Sequence, residues 1–143
     1  MSTKKKLLLF LFLFFVVTVG IGYYIYNKGP EDIRRSDATT VTAIELYKSY
    51  KEDSLAAKKF TGKVLMVTGS IGKIDTNQQN ETVLSLKTNE PGAFINCSME
   101  KRKPGLNLST QVRIKGFCSG MGQGDADLGI KADVYLTRCF ITD

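Results

Sequence analysis

The side chains able to do chemistry are three cysteines (Cys97, Cys118 and Cys139), a scatter of lysines and arginines, and carboxylates in no recognisable constellation. The chain has no histidine. That removes the commonest general base and the usual activator of a serine or cysteine nucleophile. No cysteine belongs to a CxxC pair, so the pattern offers no zinc site. Asp125, Asp127 and Asp133 around Gly129 lack the spacing of a calcium loop. An acid–base enzyme would call on carboxylates such as Asp75 and Asp133, but no motif surrounds either. Gly120-Met-Gly-Gln-Gly124 lacks the Lys-Ser/Thr ending of a phosphate-binding loop and leads into a strand, so it reads as a mobile rim loop. These residues point to a non-enzyme with no metal and no cofactor.

Two kinds of binding chemistry remain. Lys101, Arg102 and Lys103 form a basic run, and Lys73, Lys87, Arg113 and Lys115 are the further cations that would meet a polyanion. Phe94 is the one aromatic residue on the strands where a nucleic-acid barrel stacks bases. The formal charge of +6 is a weak footprint for nucleic acid, because Lys4, Lys5 and Lys6 supply half of it ahead of an apolar segment. The cysteines allow a disulfide if the domain lies in an oxidising compartment. Cys118 with Cys139 is the first pairing considered, Cys97 with Cys139 the second, and three buried free thiols the third. Asn80, Asn96 and Asn107 begin N-x-[ST] sequons, and the placement of Asn96 in a predicted strand favours chance.

The elements that position these residues follow from hydrophobic patterning. Residues 1–6 are a basic tail, and residues 7–26 carry no charge. Twenty residues at 1.5 Å rise span about 30 Å, the thickness of a bilayer's hydrocarbon core. Tyr23, Tyr24 and Tyr26 stand where an interfacial aromatic belt would lie. The lysines predict an N-terminus in the cytoplasm and a single pass through the cytoplasmic membrane. A cleaved signal peptide fits the same stretch and also puts the rest outside the cytoplasm. Residues 27–40 are polar, contain Gly29-Pro30 and read as a stalk.

Residues 41–143 form the predicted domain. Thr42 and Glu45 have capping-box spacing ahead of a helix over about 41–52, with Ile44, Leu46, Tyr47 and Tyr50 at helical intervals and Tyr47 and Tyr50 expected to dock on the barrel. Residues 55–60 add a short turn. Five strands follow, over 62–75, 82–88, 93–99, 110–119 and 128–141. Gly69 and Gly116 interrupt the alternation of the first and fourth. An interior glycine marks a bend, a bulge or a close backbone approach. The fifth strand alternates through Ile130, Val134, Leu136 and Phe140. One helix followed by five strands, two of them bent, predicts a mainly β OB-type Greek-key barrel.

Several segments within 43–141 carry a resemblance: AIELYKSYKEDSLAAKKFTGKVLMVTGSIGKI, then INC, then QVRIKGFCSG, then a last strand ending LTRCFI. The pattern resembles the bacterial OB-fold family known as tRNA-anticodon-like, whose members are often membrane-anchored or lipoproteins. The resemblance implies the fold and not an activity. The connection after the third strand is shorter here than in the family pattern, and no lipid-accepting cysteine follows the apolar run. The expected function is a membrane-anchored extracytoplasmic binding module for a protein or glycan. The alternative is a single-stranded nucleic-acid-binding barrel.

Overall fold

The computed structural model describes residues 2–29, 32–52 and 54–142, in two compact units divided after Asp32. The first unit is dominated by α1 (Thr3–Asn27), 25 residues with no buried side chain. Its apolar window has a mean hydropathy of 2.4, long and apolar enough to cross a membrane. The expected basic tail is part of this helix. Lys4, Lys5 and Lys6 extend its first turns, although cations are unfavourable at that end of the helix dipole.

The second unit begins at Ile33. It contains β1 (Thr39–Thr42), α2 (Ala43–Glu52), α3 (Ser54–Phe60), β2 (Val64–Thr76), β3 (Thr82–Lys87), β4 (Phe94–Met99), β5 (Gln111–Met121) and β6 (Val134–Thr142). Strands β2 to β6 close into the five-stranded OB-type barrel. The order is β2-β3-β4-β6-β5, with β5 pairing back onto β2. The β4–β6 pair is parallel, and every other pair within the barrel is antiparallel.

β2 does the work of two strands. Val64–Ser70 pairs with β5, and Ile71–Thr76 pairs with β3, with a register shift between Ile71 and Lys73. The glycine at position 69 has a packing reason. A Cβ there would lie 2.9 Å from the Ala43 Cβ, so its absence lets α2 sit against the strand. α2 buries Ala43, Leu46 and Tyr47 on the core formed by Leu65, Val67, Leu84, Leu86, Ile95 and Leu136, among others. Each fully buried leucine or isoleucine of this core contributes about 2 kcal/mol by its removal from water.

Two expectations are corrected. The stalk over 27–40 is shortened from its far side, because Ile33 is buried and Thr39–Thr42 pairs in parallel with Leu65–Thr68 as an added strand. Pro30 of the Gly29-Pro30 turn signal lies outside the described residues. The polar composition concealed β1, since three of its four residues are threonine and only Val41 is buried. The last strand starts at Val134, not near residue 128, and Leu128 and Ile130 are exposed in the preceding loop. Its alternation also slips. Val134 and Leu136 face the core, then Arg138 adopts a φ of 53°, and Cys139 turns inward where Phe140 was expected. The β5–β6 register shifts over the same stretch. This is a bulge: one extra residue reverses which side chains face the core.

Candidate functional site on the outer sheet face

The strand registers assemble a row of side chains on the outer face of four strands, within which Ser85 is covered and only 5% exposed. Lys73 on β2 pairs with Ser85 on β3, Ser85 with Asn96 on β4, and Asn96 with Tyr135 on β6. Beside this row Lys87 pairs with Phe94. The Lys73 ammonium lies 4.8 Å from the centre of the Phe94 ring, within range of a cation–π contact. Gly72 makes the arrangement possible. A Cβ there would lie 2.9 Å from Lys87 Cγ and 3.0 Å from Phe94 Cε1, so the bare backbone lets both side chains lie across β2.

The polar groups of the row are tied to one another and to Asp133. Ser85 Oγ donates to Asn96 Oδ1 at 2.7 Å, and Asn96 Nδ2 donates to Asp133 Oδ2 at 2.8 Å. The other Asp133 oxygen accepts the Phe94 backbone N–H at 2.8 Å. Asp133 therefore positions β4, with both oxygens engaged. Its charge, together with burial as the larger cause, raises the Tyr47 phenol above its ordinary value. At the end of the row Tyr135 is 45% exposed, and a Cβ on Gly122 would come within 2.8 Å of its ring. The rim is braced by Glu90, which is ion-paired with Lys51 of α2 and with Lys131 at 3.4 Å.

The structure brings Lys73, Lys87 and Phe94 together on neighbouring strands, and Lys87 Nζ also donates to Ser109 Oγ of the β4–β5 connection at 3.4 Å. Lys101, Arg102 and Lys103 lie in the β4–β5 connection. Arg102 and Lys103 border a cleft of about 250 Å³ with Asp75 and Thr82. Lys103 and Arg113 border another of about 550 Å³ with Leu106 and Ile141.

Lys115 needs correction as a ligand-binding residue. It is 8% exposed, and its ammonium donates to the Arg34 carbonyl at 3.1 Å and the Ser36 carbonyl at 2.5 Å. It fastens the segment before β1 to β5. Alongside it, the Arg34 guanidinium lies 5.3 Å from the Phe140 ring centre.

Tyr135, Asn96 and Ser85 were missed in the sequence. The Greek-key order was the available signal, since it places the last strand beside the third and so adds Tyr135 to the face that carries Phe94. The glycine-rich loop has a structural account. A Cβ on Gly124 would lie 2.7 Å from both Ala132 N and Ile130 O, where the loop folds back on itself. Asp125 Oδ1 accepts the Asp127 and Leu128 N–H groups, a turn-forming role. Among the described residues no group of three His, Cys, Asp or Glu is placed to hold a metal ion.

All three cysteines are buried free thiols. Thr61 Oγ1 donates to the Ala57 carbonyl at 3.1 Å, which leaves it to accept from the Tyr50 hydroxyl at 2.6 Å. The Tyr50 oxygen then accepts from the Cys118 thiol at 3.1 Å. Burial, and next the Cys118 contact, push the Tyr50 hydroxyl up, and burial likewise pushes up the Cys118 thiol. Cys97 Sγ donates to the Ile95 carbonyl at 3.9 Å, and the neighbouring Cys97 thiol together with burial pushes the Cys139 thiol well above the ordinary value.

The family model described as tRNA_anti-like matches residues 1–128. No curated protein matches the chain.

Proposed function

The chain belongs to the tRNA_anti-like family, and on that premise we propose a membrane-tethered, non-catalytic binding module that presents its outer sheet face to a glycan or protein partner. The observation that carries the proposal is the row Lys73–Ser85–Asn96–Tyr135 with Phe94 beside it. It combines exposed ring surface, an ammonium and fixed amide and hydroxyl groups in one shallow strip. Rings supply rigid apolar contact at low entropic cost, and the polar groups orient a hydroxyl-rich or peptide ligand. Lys87 and Phe94 would contact ligand directly, and Asp133 would hold β4 in position. Lys101, Arg102, Lys103 and Arg113 would offer the same partner a further basic surface along the β4–β5 connection and β5.

In this reading α1 is retained as a single-pass anchor in the cytoplasmic membrane. Lys4, Lys5 and Lys6 stay inside, and the barrel stands outside the cytoplasm. The test of location is chemical labelling of cysteines engineered at Ser2 and at exposed Gln123 in intact cells with an impermeant reagent. Labelling at position 123 alone supports the orientation, and labelling at position 2 alone reverses it.

A second reading, single-stranded nucleic-acid binding, is favoured by one observation: Phe94 and Tyr135 share a face with two lysines. The full chain in detergent micelles is titrated with glycan fragments of the cell envelope and with single-stranded DNA and RNA at low and near-physiological salt. Glycan binding lost on Phe94→Ala and Tyr135→Ala supports the first reading. Oligonucleotide binding with a steep salt dependence that survives at physiological salt supports the second and overturns the first.

A further inference from the structure

Four open clefts border one another on the barrel, and each shares two residues with the next. The first, of about 270 Å³, contains Phe94 and Glu90 and meets a second, of about 280 Å³, at Lys87 and Thr88. The second meets the 550 Å³ cleft at Thr68 and Gln111. That cleft in turn meets the 250 Å³ cleft of the β4–β5 connection at Lys103 and Leu106. Together they make one groove that leaves the outer face at Phe94 and ends beside Arg102 and Thr82. Backbone bonds fix its wall. The Ser109 N–H donates to the Ile71 carbonyl at 2.7 Å and the Ile71 N–H to the Thr110 carbonyl at 2.9 Å, which fastens the end of the connection to β2.

Every cleft along the groove has a cation in its lining. Lys87 borders the first two, Arg113 and Lys103 the third, and Lys103 and Arg102 the fourth. The carboxylates among the described lining residues, Glu90 and Asp75, stand in the two end clefts. Glu90 is already ion-paired with Lys51 and Lys131. At the centre, Arg113 pairs with Thr68 on one side and Thr142 on the other, so two hydroxyl-bearing residues flank it. Gln111, paired with Ser70, continues the polar wall towards Lys87.

On the reading of the outer face as a glycan surface, we propose that this groove holds an extended anionic glycan, a chain of carboxylate-bearing sugars. Arg113 is its central charge contact, and Phe94 stacks a sugar ring at the outer end. The volumes suit an extended ligand, because three of the clefts fall below the roughly 300 Å³ in which a compact ligand is buried. A guanidinium holds a carboxylate through two parallel hydrogen bonds, and the hydroxyl and amide groups beside it suit the hydroxyls of a sugar. A peptide strand finds no edge to join at the centre of the groove, since Arg113 is paired on both sides. A nucleic-acid strand would need successive stacking rings, and Phe94 is the one aromatic residue lining these clefts among the described residues.

The full chain in uncharged detergent micelles is titrated calorimetrically with galacturonic acid oligomers, from the disaccharide to the octasaccharide. Neutral galactose oligomers of matching length run alongside. Affinity for the acidic series should rise about tenfold or more with length, as successive sugars engage linked clefts. Arg113→Gln should weaken the acidic octasaccharide about tenfold, the loss of one charge-assisted contact, and flatten the length dependence. It should weaken the neutral series by a smaller factor, and Arg113→Lys should restore part of the acidic loss. Phe94→Ala should weaken both series alike. Arg102→Gln, on the exposed connection, gives the same charge test if Arg113→Gln does not fold. Acidic binding that does not grow with length, or that both charge variants leave intact, overturns the groove; neutral binding lost in Phe94→Ala would then still uphold the outer-face reading. Absence of binding to every oligomer overturns both. Tighter binding of polyglutamate or of single-stranded DNA than of the acidic octasaccharide overturns the glycan in favour of an acidic peptide or a nucleic acid.

Discussion

Gly116 and Cys139 are a matched pair across β5 and β6: a side chain on Gly116 would overlap the Cys139 sulfur, and the Thr137 carbonyl is 3.3 Å from the same point. Gly116→Ala therefore overpacks a closed interior. It should destabilise the barrel by about 1–3 kcal/mol in urea unfolding. Cys139→Ala removes the overlapping atom, so the double variant should be less destabilised than the sum of the two singles. Strict additivity in that cycle would show that the thiol is not what requires the glycine.

Lys115 should matter for stability and not for ligand binding. Lys115→Met removes an ammonium that serves two backbone carbonyls and keeps much of the packing volume. A loss of about 2 kcal/mol is expected, the scale of hydrogen bonds from a charged donor. Amide exchange should accelerate selectively over residues 33–42 as the segment before β1 loosens. Unchanged protection there would separate Lys115 from any fastening role.

The capping box at the start of α2 links sequence to pH dependence. Glu45 accepts from the Thr42 N–H at 3.1 Å, and its own N–H donates to Thr42 Oγ1 at 3.1 Å. The Thr42 backbone bond, then its side-chain bond, lower the Glu45 pKa below the ordinary 4.5. A group whose folded-state pKa is depressed contributes its stability in full above the unfolded value, and loses it as pH falls through the folded value. Thr42→Ala should cost about 1 kcal/mol near neutral pH. The difference from the parent should shrink as the solution is acidified below 4.5. A difference that does not change with pH would remove Glu45 from the cap.

On the outer face, Phe94→Ala and Tyr135→Ala should each weaken binding about tenfold, the effect of removing one ring from a contact surface. Asp133→Asn keeps the shape but replaces one acceptor oxygen with a donor where a backbone N–H or the Asn96 amide points. It should weaken binding as well, by disturbing β4. Lys101→Ala serves as the comparison, with a smaller effect. Equal losses for Lys101 and Tyr135 variants would move the site from the sheet face to the β4–β5 connection.

Local periodicity made much of this protein legible before folding. The uncharged run from Leu7 to Tyr26 could only be an apolar helix. The Thr42–Glu45 box set the start of α2, and five alternating runs set the barrel strands, because one buried face imposes a period that a reader can count. Lys73, Lys87 and Phe94 could be named from the sequence as separate candidates, but the cation–π contact of Lys73 with Phe94 across β3 came from the strand registers.

Contacts between distant segments were decided only by the tertiary structure. A bulge at Arg138 reverses the facing of Cys139 and Phe140, and a single extra residue leaves no mark in composition. Thr39–Thr42 becomes a strand because β2 offers it a free edge, not through its own pattern. Lys115 reads as a surface cation until residues 34–36 fold over it. Tyr135 joins Asn96 through parallel pairing between strands about 40 residues apart, a register that depends on how the whole sheet closes. Periodicity reports which face of a strand is buried, whereas closure of the barrel determines which strand lies beside it.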